Sequence, residues 1–306
     1  MTASYVTAAD TFDGWREELL TGTTPELWSV GDGELSRIET GPGLVTLIGG
    51  APGSGKTALT MQIVADVLRR NSTLRCLVCN VEMPPSVLLD RQLSRLSGID
   101  ATTIRRRTFS HQHADRLAEG LKKLEAVADR LAFVRPPFDL SNVAASADDF
   151  GARLLVLDYI QRIKPPGDHA DHRGGVNETM GFLRNFADAG IALIVVAAVS
   201  RGKDSKGRTT YESLNLASFR ESSELEFGAD DAFILMPEPK SAGVMVLRHL
   251  KSRHGETRDI RLTFDRPHQR FASIDTAAGT PTPPGPLAST LAGLWDETPA
   301  AEGGDA

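Results

Sequence analysis

Residues 50–58 read GAPGSGKTA and satisfy G-x-x-x-x-G-K-[S/T], a pattern whose chemistry is anion binding. Gly50, Ala51, Pro52, Gly53, Ser54 and Gly55 form a turn-prone run whose backbone amides can converge on phosphate oxygens. A helix starting at Lys56, Thr57 and Ala58 would aim its N-terminal dipole at the same anion. Lys56 would neutralise the outer phosphates of a nucleoside triphosphate, and the Thr57 hydroxyl would ligate Mg²⁺. A strand-like run before the loop and a helical pattern after it separate it from a chance glycine-rich turn.

A second metal contact is expected where an apolar strand ends in an acid, and LLVLDYIQ at 154–161 supplies Asp158. Alone, an aspartate at a strand end is often a turn former; beside a phosphate loop it reads as the carboxylate that holds a metal-bound water. Many nucleotide hydrolases place an acid directly after it, but here that residue is Tyr159. The run CLVCNV leads instead into Glu82, just before Met83 and Pro84. In a parallel sheet that strand end opens on the same side as the phosphate loop, within reach of an attacking water.

These groups need a scaffold, and the hydrophobic pattern indicates one. Strand-like LVTLI, LRCLVCNV, LAFV, RLLVLD and IALIVVAAV alternate with helical stretches: KTALTMQIVADVLRR, SVLLDRQLSRLSG with Ser86 as its cap, HADRLAEGLKKLEAVADR and NETMGFLRNFADAG. Aliphatic strands alternating with helices indicate an α/β fold, a mostly parallel sheet with helices on both faces. After residue 231 the helices stop, and DAFILM, VMVLRHLK, RDIRLTF and FASID suggest an antiparallel extension. The expected organisation is an N-terminal extension at 1–40 with a short helix around FDGWREELL, an ATPase domain at 41–275, and a disordered tail at 276–306. That tail is rich in Pro, Ala and Gly, with four acids and no Lys or Arg.

No apolar run approaches membrane-span length and the N-terminus lacks a signal pattern, so a cytoplasmic protein without membrane association is expected. The net charge of −6 leaves any nucleic-acid binding to local basic loops. Cys76 and Cys79 form C-x-x-C, but no second ligand pair accompanies them; inside a strand they read as small hydrophobes.

Five ordered motifs resemble the ATPase domain of DnaB-type replicative helicases, within the RecA-like P-loop ATPases: GAPGSGKT, VEMPPSVLLDRQLSRLSGID, LLVLDYIQ, SFRESSELEFGADD and LKSRHGE. The resemblance runs from about residue 22 to 275. It implies ATP and Mg²⁺ as ligands, a homo-oligomeric ring, expected to be the hexamer usual in the family, and single-stranded DNA as partner. It makes Glu82 the hydrolytic base and Gln161 and Ser200 sensors of the terminal phosphate. Lys251 and Arg253 would be cations that reach a nucleotide on the neighbouring subunit, although KSRHG alone would read as a solvated turn. DNA contact would come from two pore loops, through Arg162 and Lys164 in the first and Arg201, Lys203, Lys206, Arg208, Arg220 and Glu221 in the second. For Lys203 and Lys206 a solvated loop remains an equal alternative.

Three departures from the family pattern bear on coupling between hydrolysis and DNA. Ser200 replaces a longer polar sensor, Ser223 replaces a turn glycine, and the segment before LLVLDYIQ is shorter. The primase-contacting domain has no match in residues 1–40, which are expected to supply at most a linker helix that docks on the adjacent subunit. The tail could contact a replication partner. Two functions compete: a ring-forming DNA helicase or translocase that moves on single strands in replication, and a DNA-associated RecA-like ATPase that acts as switch or scaffold without unwinding.

Overall fold

The computed structural model describes residues 5–165, 172–200, 202–203, 209–210, 214–219, 223–239 and 241–274. Arg201, Lys206, Arg208, Arg220, Glu221 and the tail at 276–306 lie outside the described residues, and Lys203 is described through its backbone alone. In chain order the first half runs α1 (Ala8–Thr21), β1 (Val45–Gly50), α2 (Lys56–Arg70), β2 (Cys76–Asn80), α3 (Pro85–Ser97), α4 (Ala101–Arg106) and α5 (Ala114–Ala128). It continues with β3 (Leu131–Phe133), α6 (Leu140–Phe150), β4 (Leu154–Asp158), α7 (His172–Asp188) and β5 (Ala192–Ala198). The two-residue strands β6 (Gly202–Lys203) and β7 (Thr209–Thr210) pair with each other. Then come α8 (Ser223–Gly228), β8 (Asp231–Pro237), β9 (Val244–Ser252), β10 (Ile260–Asp265) and β11 (Arg270–Ser273).

The main sheet has nine strands in the order β11-β10-β9-β8-β1-β5-β4-β2-β3. From β8 to β3 every pairing is parallel, and β9, β10 and β11 add antiparallel. The aliphatic runs explain the layers: Ile48, Val78, Val156 and Ile194 face α2, whereas Leu47, Leu77, Leu155 and Val195 face the opposite layer with Val143 and Leu183. Both faces being covered, the strands bury every second residue on each side. Cys76 belongs to the first layer and Cys79 to the second, so the two thiols point to opposite faces and cannot share one ion. Burial pushes the Cys79 thiol up to about 12.

Several local features differ from the sequence expectations. The helix expected to be capped by Ser86 starts earlier: Pro84 is its N-cap and Pro85 its first residue. Proline lacks an N–H and has φ preset for a first turn, so it displaces serine from the cap. The sequence pattern gives no sign of α4; the Asp100 carboxylate caps it by accepting from the amides of Thr102 and Thr103. β2 stops at Asn80, so Glu82 lies on the turn after the strand. Trp28, Val30, Leu35 and Ile38 join the α2-side core, so packing reaches upstream of residue 41. α1 buries no residue. Among the described residues no helix is long and apolar enough to cross a membrane.

One buried polar clamp ties the phosphate-loop helix to the antiparallel extension. Gln62 on α2 donates to the Phe271 carbonyl and accepts from the Phe271 amide, both at 2.9 Å. It completes the ladder of β11 from the helix side. Gln62→Leu should leave both backbone groups unpaired and lower unfolding free energy by roughly 1–3 kcal/mol, read from urea denaturation.

Candidate active site

Parallel packing brings three strand ends to one edge. Gly50 of β1 pairs with Ala198 of β5, and Asp158 of β4 pairs with Val196 of β5 and Asn80 of β2. Above this edge opens a cavity of about 510 Å³ lined by Gly53, Lys56, Thr57, Glu82, Asp158 and Ala198, among others. It is the crevice outside the carboxyl ends of the strands, where ligands bind in open α/β sheets.

The loop has the form of a phosphate cradle. Gly55 holds φ 97°, and a Cβ there would come within 2.9 Å of Phe264, so the position demands glycine on two counts. The Lys56 ammonium donates to the carbonyls of Gly50 at 2.7 Å and Ala51 at 3.1 Å. Burial pushes it below the ordinary lysine range, while Asp158 and Glu82 pull it back up. The Ser54 hydroxyl is buried with no hydrogen-bond partner. An orphaned hydroxyl, a buried cation and open space over Gly53 all fit an anionic group held by the loop.

Asp158 is buried, and burial pushes its carboxyl above the ordinary range against the Thr57 hydroxyl and Lys56, which lower it. Thr57 and Asp158 together form an oxygen pair suited to a hard cation such as Mg²⁺. Glu82 is exposed to the same cavity on a turn whose amides at Glu82 and Met83 are accepted by Asn80 Oδ1. Gln161 is buried behind the edge; it donates to the Ala198 carbonyl and accepts from the Ala198 amide, at 3.0 and 3.1 Å. Ser200 is not brought to the cavity. Its hydroxyl donates to the Ser218 carbonyl. Arg162 and Lys164 are exposed after β4.

Lys251 and Arg253 occupy the other end of the molecule's β1 axis. Lys251 Nζ donates to the carbonyls of Glu226, Phe227 and Ala229 at the end of α8. Arg253 pairs with the buried Asp230 carboxylate at 2.7 Å. Asp230 also accepts from Arg184 and from the amide of Val45, the first residue of β1. Five strand steps of ~3.3 Å therefore put roughly 17 Å between that anchor and Gly50.

Sequence reading missed four cavity residues: Arg91 on α3, and Phe264, Arg266 and Gln269 on and after β10. Arg266 donates to the Gly53 carbonyl at 3.1 Å and lies over the Phe264 ring, 5.0 Å from its centre. Gln269 adopts a left-handed φ of 52° at the β10–β11 turn. The turn sequence DRPHQ was the only local signal, and it names a turn rather than a cavity wall. Arg91 stands nine residues after Glu82, a spacing with no chemical meaning until α3 folds back over the edge.

Phosphate loop, strand-end acid and mixed sheet together define a RecA-like P-loop ATPase fold. The family model for the DnaB-like helicase C-terminal domain matches residues 36–273, and the chain belongs to that family. Among solved structures it is similar to one described as an isolated ATPase domain, with 18% identity, a TM-score of 0.76, and coverage of 89% of this chain and 100% of that one. It is also similar to a DnaB-like replicative helicase described with its interactions with primase, with 18% identity and a TM-score of 0.74 over 89% of this chain and 68% of that one.

Proposed function

We propose that this chain hydrolyses ATP at the interfaces of a homo-oligomeric ring, expected to be a hexamer, and uses the cycle to move on single-stranded DNA in replication. The observation that carries the reading is the separation of charges along β1. The phosphate loop sits at one end, and Arg253 is anchored through Asp230 beside the other. A cation so placed cannot fold onto its own nucleotide, but it can present itself to a neighbour's. Such a finger contributes about 10³ to 10⁵ in rate in other nucleotide hydrolases.

In this scheme the loop amides and Lys56 bind the triphosphate and orient its terminal phosphate away from the loop. Thr57 and Asp158 would hold Mg²⁺, which supplies positive charge against the phosphates. Glu82 orients a water toward the terminal phosphate and takes up its proton. Phe264 and Arg266 offer a flat wall suited to a purine face. Gln161, fixed to Ala198, links the cavity edge to the segment carrying Arg162 and Lys164. Those cations, with Lys203, Lys206, Arg208, Arg201, Arg220 and Glu221 of the second loop, would track the DNA backbone without reading sequence. α1, whose Phe12, Trp15 and Leu19 are exposed, would dock on the adjacent subunit. The acidic tail would remain available to a replication partner.

The use of the Ser200 hydroxyl by Ser218 favours a second reading, a DNA-associated ATPase switch that does not unwind. Single-stranded DNA separates the two. In the motor reading it should raise steady-state ATPase activity; a rate that stays flat across saturating DNA would rule the motor out. Glu82→Gln should bind a fluorescent ATP analogue as wild type does and lose roughly 10²- to 10⁴-fold in turnover. A near-normal rate would place the base elsewhere.

A further inference from the structure

Asn80 makes three hydrogen bonds with one amide, and they join both carboxylates of the site. Its Nδ2 donates to Asp158 Oδ2 at 2.8 Å in a buried setting. Its Oδ1 accepts from the Glu82 amide at 3.0 Å and the Met83 amide at 2.8 Å. The orientation of the amide is dictated by its partners, because the flipped group would set NH₂ against two N–H donors and oxygen against a carboxylate. Asn80 is itself buried and directly opposite Asp158 in the β2–β4 pairing. The Val81 amide donates to the Asp158 carbonyl at 3.0 Å, which closes the same connection through the backbone.

We infer that Asn80 is a positioning residue that sets the distance between the metal-side carboxylate and the base by holding the Glu82 turn and Asp158 with opposite ends of one amide. This rests on the roles proposed above for Glu82 and Asp158. Glu82 is exposed and follows the end of β2, so its backbone has no strand ladder to fix it. The Oδ1 acceptor supplies that restraint. Asp158 in turn has one oxygen occupied by Nδ2, which limits the directions in which the carboxylate can face the cavity.

The two ends of the amide can be separated by substitution. Serine keeps a short oxygen able to accept from amides two and three residues on, but cannot reach Asp158; alanine keeps neither function. Partners of this kind typically change metal affinity or activity about 10- to 100-fold when removed. Asn80→Ala should bind a fluorescent ATP analogue without metal as wild type does, and turn over about 10- to 100-fold more slowly per bound nucleotide. Asn80→Ser should recover most of that turnover, while the Mg²⁺ concentration at half-maximal analogue binding remains raised as in Asn80→Ala. Three outcomes would overturn the inference: normal turnover in Asn80→Ala, equal losses of metal-free binding and turnover there, or no recovery in Asn80→Ser. Glu82→Gln in the same assays keeps the two claims apart. A normal rate in that variant defeats the base assignment, whereas an inactive Glu82→Gln beside a normal Asn80→Ala defeats only the role of Asn80.

Discussion

A parallel sheet has chemical polarity: every strand delivers its C-terminal residue to one edge and its N-terminal residue to the other. Here the hydrogen-bonded register of β2, β4, β1 and β5 converts four separate sequence motifs into one surface. Asn80, Asp158, Gly50 and Ala198 stand within that edge because their strands are paired residue by residue. Remove the register and Lys56, Asp158 and Glu82 become unrelated residues in a chain of acids and bases. The same polarity sends Val45 and Asp230 to the opposite edge, where the Arg253 guanidinium is held.

The electrostatics follow from where each group is buried. Lys56 and Asp158 are both pushed toward their neutral forms by burial and held charged by each other and by Thr57. An anionic ligand and a cation entering together would therefore meet groups whose desolvation has already been met on folding. Asp230 is the counterpart at the far edge. With Arg184, Arg253 and the Val45 amide around it, its charge is compensated from three directions, and the cation beside it is directed rather than free.

Much of this was legible in the sequence, for a physical reason in each case. The phosphate loop and the strand-end Asp158 are local: their chemistry depends on neighbours within a few residues. α2 was legible because Leu59, Ile63 and Val67 repeat at helical spacing and are buried as that spacing requires. What escaped depends on distance or on competition. Phe264, Arg266 and Gln269 reach the cavity only because Gln62 binds β11 to α2. Ser86 lost the cap of α3 to the preceding prolines, and Ser200 lost the cavity to the Ser218 carbonyl. Asn80 gave no sequence signal, because an asparagine at a strand end reads only as a turn former.

In the proposed cycle a complete hydrolytic site needs groups from two copies of the chain. The most direct measurement is ATPase complementation between Glu82→Gln and Arg253→Ala subunits, each inactive alone, mixed before assembly. Activity should return on mixing, because some interfaces then join an intact Glu82 to an intact Arg253. Mixtures that assemble with wild-type mass yet stay as inactive as either parent would contradict this shared site.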